Sequence, residues 1–428
     1  MKSFSAEVRS FWLRYFHPRL GLIEITLITE DGLVKDVKYG FVNVPGVETV
    51  DLSRWIALPG MIDIHVHLRG LDLAYKEDEW SGTRAAVHGG VTAVVDMPNT
   101  VPRIDRVEVL RRKLVDLFSK SWVDFGVFIA LPKDLRELYA MLSTSGVVGV
   151  KIYPEDYERF AALASRIPRD TLVVVHAEHP GLIREGCSFG TRWRCRPVEA
   201  ELEALNLLRE VVKSSKGLRI HVTHATNGLV VAYAKSMGFT VDTCPHYLRL
   251  TSIDEERLGC AAVVNPPLRP PEIAESLALC MSSLDALSSD HAPHSMEEKS
   301  GDVCCPGIAS LDFYAPLILD LIKRGVLGLE DVVRLTNLGP QKILGVRGWG
   351  CIEPGCVASY TIVDLDGVTR VVREHVESKC RVSPYEGLEL NGRVVATIVR
   401  GFIAYLEGEF LEKPLARPLP RGGDAWPS

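Results

Sequence analysis

Eight short runs rich in Val and Ile, at 61–67, 91–98, 123–130, 147–154, 171–178, 219–226, 240–246 and 285–291, recur through the middle of the chain. Each has strand length, and segments of helical composition lie between them, as at 106–120, 197–215 and 271–282. Such alternation demands parallel strands with helices packed on the sheet, either as a doubly wound open sheet or as a closed (β/α)8 TIM barrel. The open sheet expects a Gly-rich phosphate loop after its first strand, and GxGxxG is absent there. Eight units make the barrel the economical reading. The chemistry-capable residues agree, because His65, His67, Asn99, Lys151, His176, His224, His246 and Asp290 all fall at the C-terminal ends of the runs, where barrel enzymes work.

Outside these runs, 23–28, 34–42, 358–364, 393–400 and 402–406 read as short strands separated by turns. The expected organisation is a barrel at 59–345 and a small flanking β-sandwich built jointly from 1–58 and 346–412. The proline-rich stretch 413–428 is expected to be a loosely held tail. With 46% apolar and 24% charged residues the chain is too apolar to stay disordered. Lys and Arg number 49 against 55 Asp and Glu, with no basic block, which argues against nucleic acid and anionic membranes as partners.

The opening MKSFSAEVRSFWLRYFHPRL interrupts its apolar stretches with Arg, Glu and His, unlike a signal peptide. No run reaches the ~18 apolar residues of a membrane span. The best candidate, 313–329, carries Asp320, Lys323 and Arg324. A soluble cytoplasmic protein is expected. Ten cysteines without zinc-type CxxC pairs read as reduced core thiols, except that Cys187/Cys195 and Cys351/Cys356 could pair in a hyperthermophile.

Strand side chains alternate between faces, so His65 and His67 point together towards one metal. His176 in VVVHAEH, His224 in HVTHAT and Asp290 in LSSDHAPH end other strands of the same barrel. Five such ligands exceed what one tetrahedral zinc with an open position needs, and suit two divalent metals sharing a bridge. His221, three residues before His224, takes the opposite face and reads as structural, as do His17, His88 and His375. His179 and His291 follow site residues closely and would orient ligands. Lys151 in VVGVKIYPED has two readings: a salt bridge with Glu155 or Asp156, or a neutral amine that adds carbon dioxide and bridges the metals as a carbamate.

The strings PGMIDIHVHLR, MPNT (97–100), KIYPED, HAEH, NPPLR (265–269), SDHAPH (289–294) and SPYEGLELNGRVVATIVRG resemble the dihydroorotases of the amidohydrolase superfamily, over about residues 20–410. MPNT, NPPLR and SDHAPH together set that group apart from allantoinases and hydantoinases. The resemblance implies His65, His67 and Asp290 on one metal, His176 and His224 on a second, and carbamylated Lys151 with a hydroxide between them. It implies zinc as the foremost ion, although such ligands also accept cobalt and manganese. Arg69, Asn99 and His294 would grip the substrate carboxylate, Asn265 would bond the pyrimidine ring, and Asp290 would serve as general base and acid. The implied reaction is reversible hydrolysis of dihydroorotate to N-carbamoyl-aspartate, a step of pyrimidine biosynthesis. Homo-oligomers or association with aspartate carbamoyltransferase would fit the family. Rival readings are a hydantoinase, dihydropyrimidinase or allantoinase, and a catalytically silent scaffold, which would be expected to lose metal ligands. The family usually follows HLR with an acidic residue and Pro-Gly, where this chain has Gly70 and Leu71.

Overall fold

The computed structural model describes residues 7–215, 217–300 and 304–420. Four strands open the chain: β1 (Val8–His17), β2 (Gly21–Glu30), β3 (Leu33–Tyr39) and β4 (Thr49–Pro59). The eight Val/Ile runs follow as β5 (Met61–Val66), β6 (Val91–Asp96), β7 (Asp124–Ala130), β8 (Val147–Ile152), β9 (Leu172–Val175), β10 (Arg219–Val222), β11 (Thr240–Thr243) and β12 (Ala286–Leu287). Four more close the fold: β13 (Tyr360–Arg370), β14 (Glu389–Val399), β15 (Phe402–Leu406) and β16 (Glu409–Phe410).

Strands β5 to β12 pair in sequence order and in parallel, with helices in most of the connections. Every residue of β5, β6, β7 and β8 is buried, which is why these runs are continuously apolar and do not alternate. The barrel closes where Val66 bridges His291 and His67 N donates to His291 O at 2.8 Å. That seam brings the ends of β5 and β12, and so the first and last expected ligands, side by side.

The two flanking segments join in one eight-stranded sheet, ordered β16-β15-β14-β13-β4-β1-β2-β3. It curls so that Val34 N reaches Cys356 O at 2.8 Å and Ala358 N reaches Gly32 O at 3.0 Å. The enclosed core holds Phe11, Leu13, Tyr15, Ile25, Leu27, Tyr360 and Ile398. Strand β1 was not legible from the pattern, because VRSFWLRYFH places bulky or charged groups at nearly every position.

Two expectations need correction. The stretch after 412 is not loose as far as it is described. Leu419 N donates to Phe125 O at 2.7 Å, Phe125 N donates to Arg417 O at 3.1 Å, and Leu419 and Ala416 are buried against the barrel. Prolines punctuate this segment without preventing a strand-like pairing; residues 421–428 lie outside the described ones. The cysteines depart from expectation at one pair, Cys260 and Cys304, while the two excepted pairs are joined. Cys187–Cys195 and Cys351–Cys356 are joined, and so is Cys260–Cys304, whose halves lie 44 residues apart and meet only because the loops after β11 and β12 are neighbours. Cys244, Cys280, Cys305 and Cys380 are free.

Candidate active site

A cavity of about 360 Å³ opens at the C-terminal ends of the barrel strands, lined in part by His65, His67, Arg69, Asn99, His176, His224, Asn265 and Asp290. Asp290 Oδ1 lies 3.3 Å from His65 Nε2 and 3.2 Å from His67 Nε2, so three donor atoms from both sides of the barrel seam converge. The His65 ring centroid is 5.3 Å from that of His224, which is 4.5 Å from that of His176. The four histidines thus form one continuous group. Burial, reinforced by neighbouring cations, pushes His65 and His224 well below the ordinary histidine range, which keeps their lone pairs free for a cation.

Backbone strain marks the same residues. Arg69, His224 and Asp290 have φ of 53°, 46° and 46°, a left-handed conformation that side chains with a Cβ adopt only where their surroundings impose it. For His224 the agent is visible: its backbone N–H donates to Asp242 Oδ1, while Asp242 Oδ2 meets His221 Nε2 at 3.0 Å. His221 also bonds Thr240 Oγ1 at 3.0 Å and is fully buried, a structural role as expected from its strand face.

Lys151 is completely buried, and its Nζ donates to Thr223 Oγ1 at 3.2 Å. Asp156 is engaged by Arg103 and Arg159, and Glu155 lies 3.8 Å from Arg103, so neither takes up Lys151. Burial brings the amine from 10.5 down to about 8. A lysine in this state is nucleophilic near neutral pH, as carbamate formation requires.

Hydrogen bonds behind the ligands add residues that motif reading missed. His67 Nδ1–H donates to Asn99 Oδ1 at 2.6 Å, which leaves the Nε2 lone pair free for a cation and the Asn99 amide nitrogen available to the cavity. Glu178 accepts from His176 Nε2 at 2.6 Å and from Arg196 Nε at 3.0 Å, and Arg196 lines the cavity. Burial alone would raise the Glu178 carboxyl, but His176 and Arg196 outweigh it and bring it down to about 2. The signal was present in HAEH, where Glu178 stands two residues after His176. His179 bonds its own turn through Gly181 N at 3.2 Å, while His291 accepts from Ser310 N and Leu311 N, each at 3.2 Å.

The expected substrate residues divide. Arg69, Asn99 and Asn265 line the cavity; His294 stands behind Arg69, with its Nε2 3.4 Å from Arg69 Nη2 and 3.1 Å from Pro306 O. Asn265 Oδ1 is bonded by Arg192, which leaves its amide nitrogen as the donor it can offer.

The amidohydrolase family pattern matches residues 56–404. This chain belongs to the amidohydrolase family. Among curated amidohydrolase relatives, the dihydroorotase of Saccharolobus solfataricus is 36% identical over 83% of this chain and 85% of its own length. That of Aeropyrum pernix is 38% identical over 86% of this chain and 88% of its own length. Among solved structures, the L-hydantoinase (dihydropyrimidinase) of Arthrobacter aurescens superposes with a TM-score of 0.86 at 26% identity, over 97% of this chain and 99% of that one. This amidohydrolase is therefore an enzyme of the cyclic-amide hydrolase type, with the metal-dependent barrel of its family. Among the described residues no helix is long and apolar enough to cross a membrane.

Proposed function

We infer that the protein is a dihydroorotase, catalysing the reversible hydrolysis of (S)-dihydroorotate to N-carbamoyl-L-aspartate. The observation that carries the substrate is Arg69: it is 6% exposed, lines the cavity, and has no carboxylate within 4.0 Å among the described residues. Its protein contacts are the Pro293 carbonyl at 3.2 Å and the His294 ring. A buried guanidinium with no carboxylate in contact, only Asp290, Asp96 and Glu298 at a distance, is costly, and a substrate carboxylate would supply a direct partner. A hydantoin or dihydrouracil ring carries no carboxylate and would leave the cation unpaired.

The donor set fits two divalent cations, zinc foremost. His65, His67 and Asp290 would hold one, His176 and His224 the other, and Lys151, carbamylated, would stand between them. When bound, the metals lower the pKa of a water molecule and polarise the scissile carbonyl. Arg69 and the Asn99 amide nitrogen hold the ring carboxylate, while the Asn265 amide nitrogen donates to a ring carbonyl. Asp290 accepts a proton from the attacking water as the C–O bond forms, then returns it to the ring nitrogen as the C–N bond breaks. The reverse reaction closes the ring with the same groups and serves pyrimidine biosynthesis.

The test is purified protein assayed with dihydroorotate, hydantoin and allantoin, together with metal analysis. Turnover of dihydroorotate in both directions and two metal equivalents per chain are expected. Preference for hydantoin or allantoin would overturn the substrate assignment and leave the family membership intact.

A further inference from the structure

Beneath the Arg69 turn lies a buried charge cluster that the reaction leaves unused. Lys113, in the helix Val107–Lys120, places its Nζ 2.7 Å from Glu79 Oε1 and 2.7 Å from Asp96 Oδ2, and donates to the backbone carbonyl of Arg69 at 3.1 Å. The three side chains are at most 1% exposed. Asp96 Oδ1 accepts from Leu68 N at 2.8 Å, and Gly70 N donates to Glu77 O at 3.0 Å. The backbone is therefore held at three consecutive residues.

It needs holding. Arg69, Gly70 and Leu71 have φ of 53°, 65° and 48°, so three residues in succession are left-handed and two of them carry a Cβ. At Gly70 an added Cβ would come within 2.1 Å of Glu79 Oε1, so the carboxylate would have to leave its place beside Lys113. The Glu79 carboxylate fills the space that a side chain at position 70 would take. That carboxylate arrives from the helix Glu79–His88.

We propose that Lys113 and Glu79, braced by Asp96, form the positioning element for Arg69. The guanidinium itself has few protein contacts, so its aim into the cavity is set by the turn that carries it. An ammonium spanning two carboxylates and the Arg69 carbonyl ties that turn to two helices and the end of β6. The inference rests on the dihydroorotase reading for the identity of the substrate carboxylate.

Lys113→Met removes the ammonium at similar length. The KM for dihydroorotate should rise roughly 10- to 100-fold, as for a misaimed contact, with kcat lowered far less and metal content unchanged. In an Arg69→Ala background the same change should add little, because the group it positions is gone. A purely structural role predicts a further multiplicative loss there. Glu79→Gln, which keeps a hydrogen-bond acceptor, should shift KM in the same direction by less, and decides the matter through the same cycle if Lys113→Met does not fold. Unchanged KM in folded variants, or losses that multiply with Arg69→Ala, would overturn the inference alone. Absence of dihydroorotate turnover by the unmodified enzyme would overturn the substrate reading and this inference with it.

Discussion

Replacing Arg69 with methionine should separate function from stability, because the two pull in opposite directions at this residue. The guanidinium is 6% exposed, and burial lowers its pKa. On the proposed function, pairing it with a substrate carboxylate would make charge-assisted hydrogen bonds in a partly dry cavity. Their loss should cost about 2–4 kcal/mol in transition-state binding, roughly 30- to 1,000-fold in kcat/KM. Much of that loss should fall on KM, since the carboxylate is held before and during the reaction. The ligand-free protein meanwhile carries a buried cation that no carboxylate touches, Asp290, Asp96 and Glu298 acting on it only from a distance, and the desolvation of such a cation costs on the order of several kcal/mol. Methionine relieves that cost, so the Tm of the variant without ligand should match or exceed that of the wild type. Steady-state kinetics with dihydroorotate, metal analysis and thermal unfolding together read all three quantities. A variant whose kcat/KM stays near that of the wild type would refute the carboxylate grip. A variant that loses metal or melts markedly earlier would show that Arg69 serves the fold.

His65→Ala and His67→Ala should each remove most activity and lower the bound metal. His221→Ala should keep two metals but lose stability, because it strips buried partners from Asp242 and Thr240 at a cost of about 1–3 kcal/mol; equal metal loss in all three would contradict the strand-face assignment. Lys151→Ala should be nearly inactive, with part of the activity restored by a short carboxylic acid, and full activity without one would exclude the carbamate. Only the neutral amine adds carbon dioxide, and the Lys151 pKa is about 8. Reactivation of metal-stripped, decarbamylated enzyme at fixed dissolved carbon dioxide should therefore slow about tenfold for each pH unit below that value. Glu178→Gln should weaken the second metal about 10- to 100-fold in chelator competition. Because the Glu178 pKa is depressed from 4.5 to about 2, its contribution to stability is full above the ordinary value and fades as the pH falls towards 2.

The barrel was legible because its strands are buried on both faces. Burial on both faces turns each strand into an unbroken apolar run, and the polar residue ending the run marks the catalytic mouth. His65, His67, His176, His224 and Asp290 could be assembled from that rule, since parallel strands all deliver their C-terminal ends to one side. Strand β1 followed no such rule, because its burial comes from a curled sheet whose partners lie in distant segments. The Cys260–Cys304 pair and the Arg417–Leu419 pairing with Phe125 were hidden for the same reason. Asn99 shows a subtler limit. Its place in MPNT suggested a substrate contact, but whether its carbonyl oxygen is free depends on the His67 ring 32 residues away in sequence.

Unmatched charge locates the chemistry more sharply than burial does. Among the described residues six cationic side chains are buried: Arg69, Lys113, Lys151, Arg269, Lys299 and Arg400. Lys113 meets Glu79 and Asp96, Arg269 meets Glu201, and Arg400 meets Asp124, so three are neutralised within the fold. Lys299 has no carboxylate but reaches the carbonyls of Val263, Cys305 and Gly307, so its three N–H donors are occupied by backbone. Arg69 and Lys151 are left with little more than a carbonyl and a hydroxyl. Folding alone gives no reason to bury two poorly paired cations at one barrel mouth, since apolar residues of the same size would serve it better. On the proposed function each would be completed by a distinct reactant: a substrate carboxylate would end the isolation of Arg69, and carbon dioxide would convert Lys151 from a potential cation into an anion able to bind metal. The cost in the ligand-free fold would thus be recovered when the site is assembled.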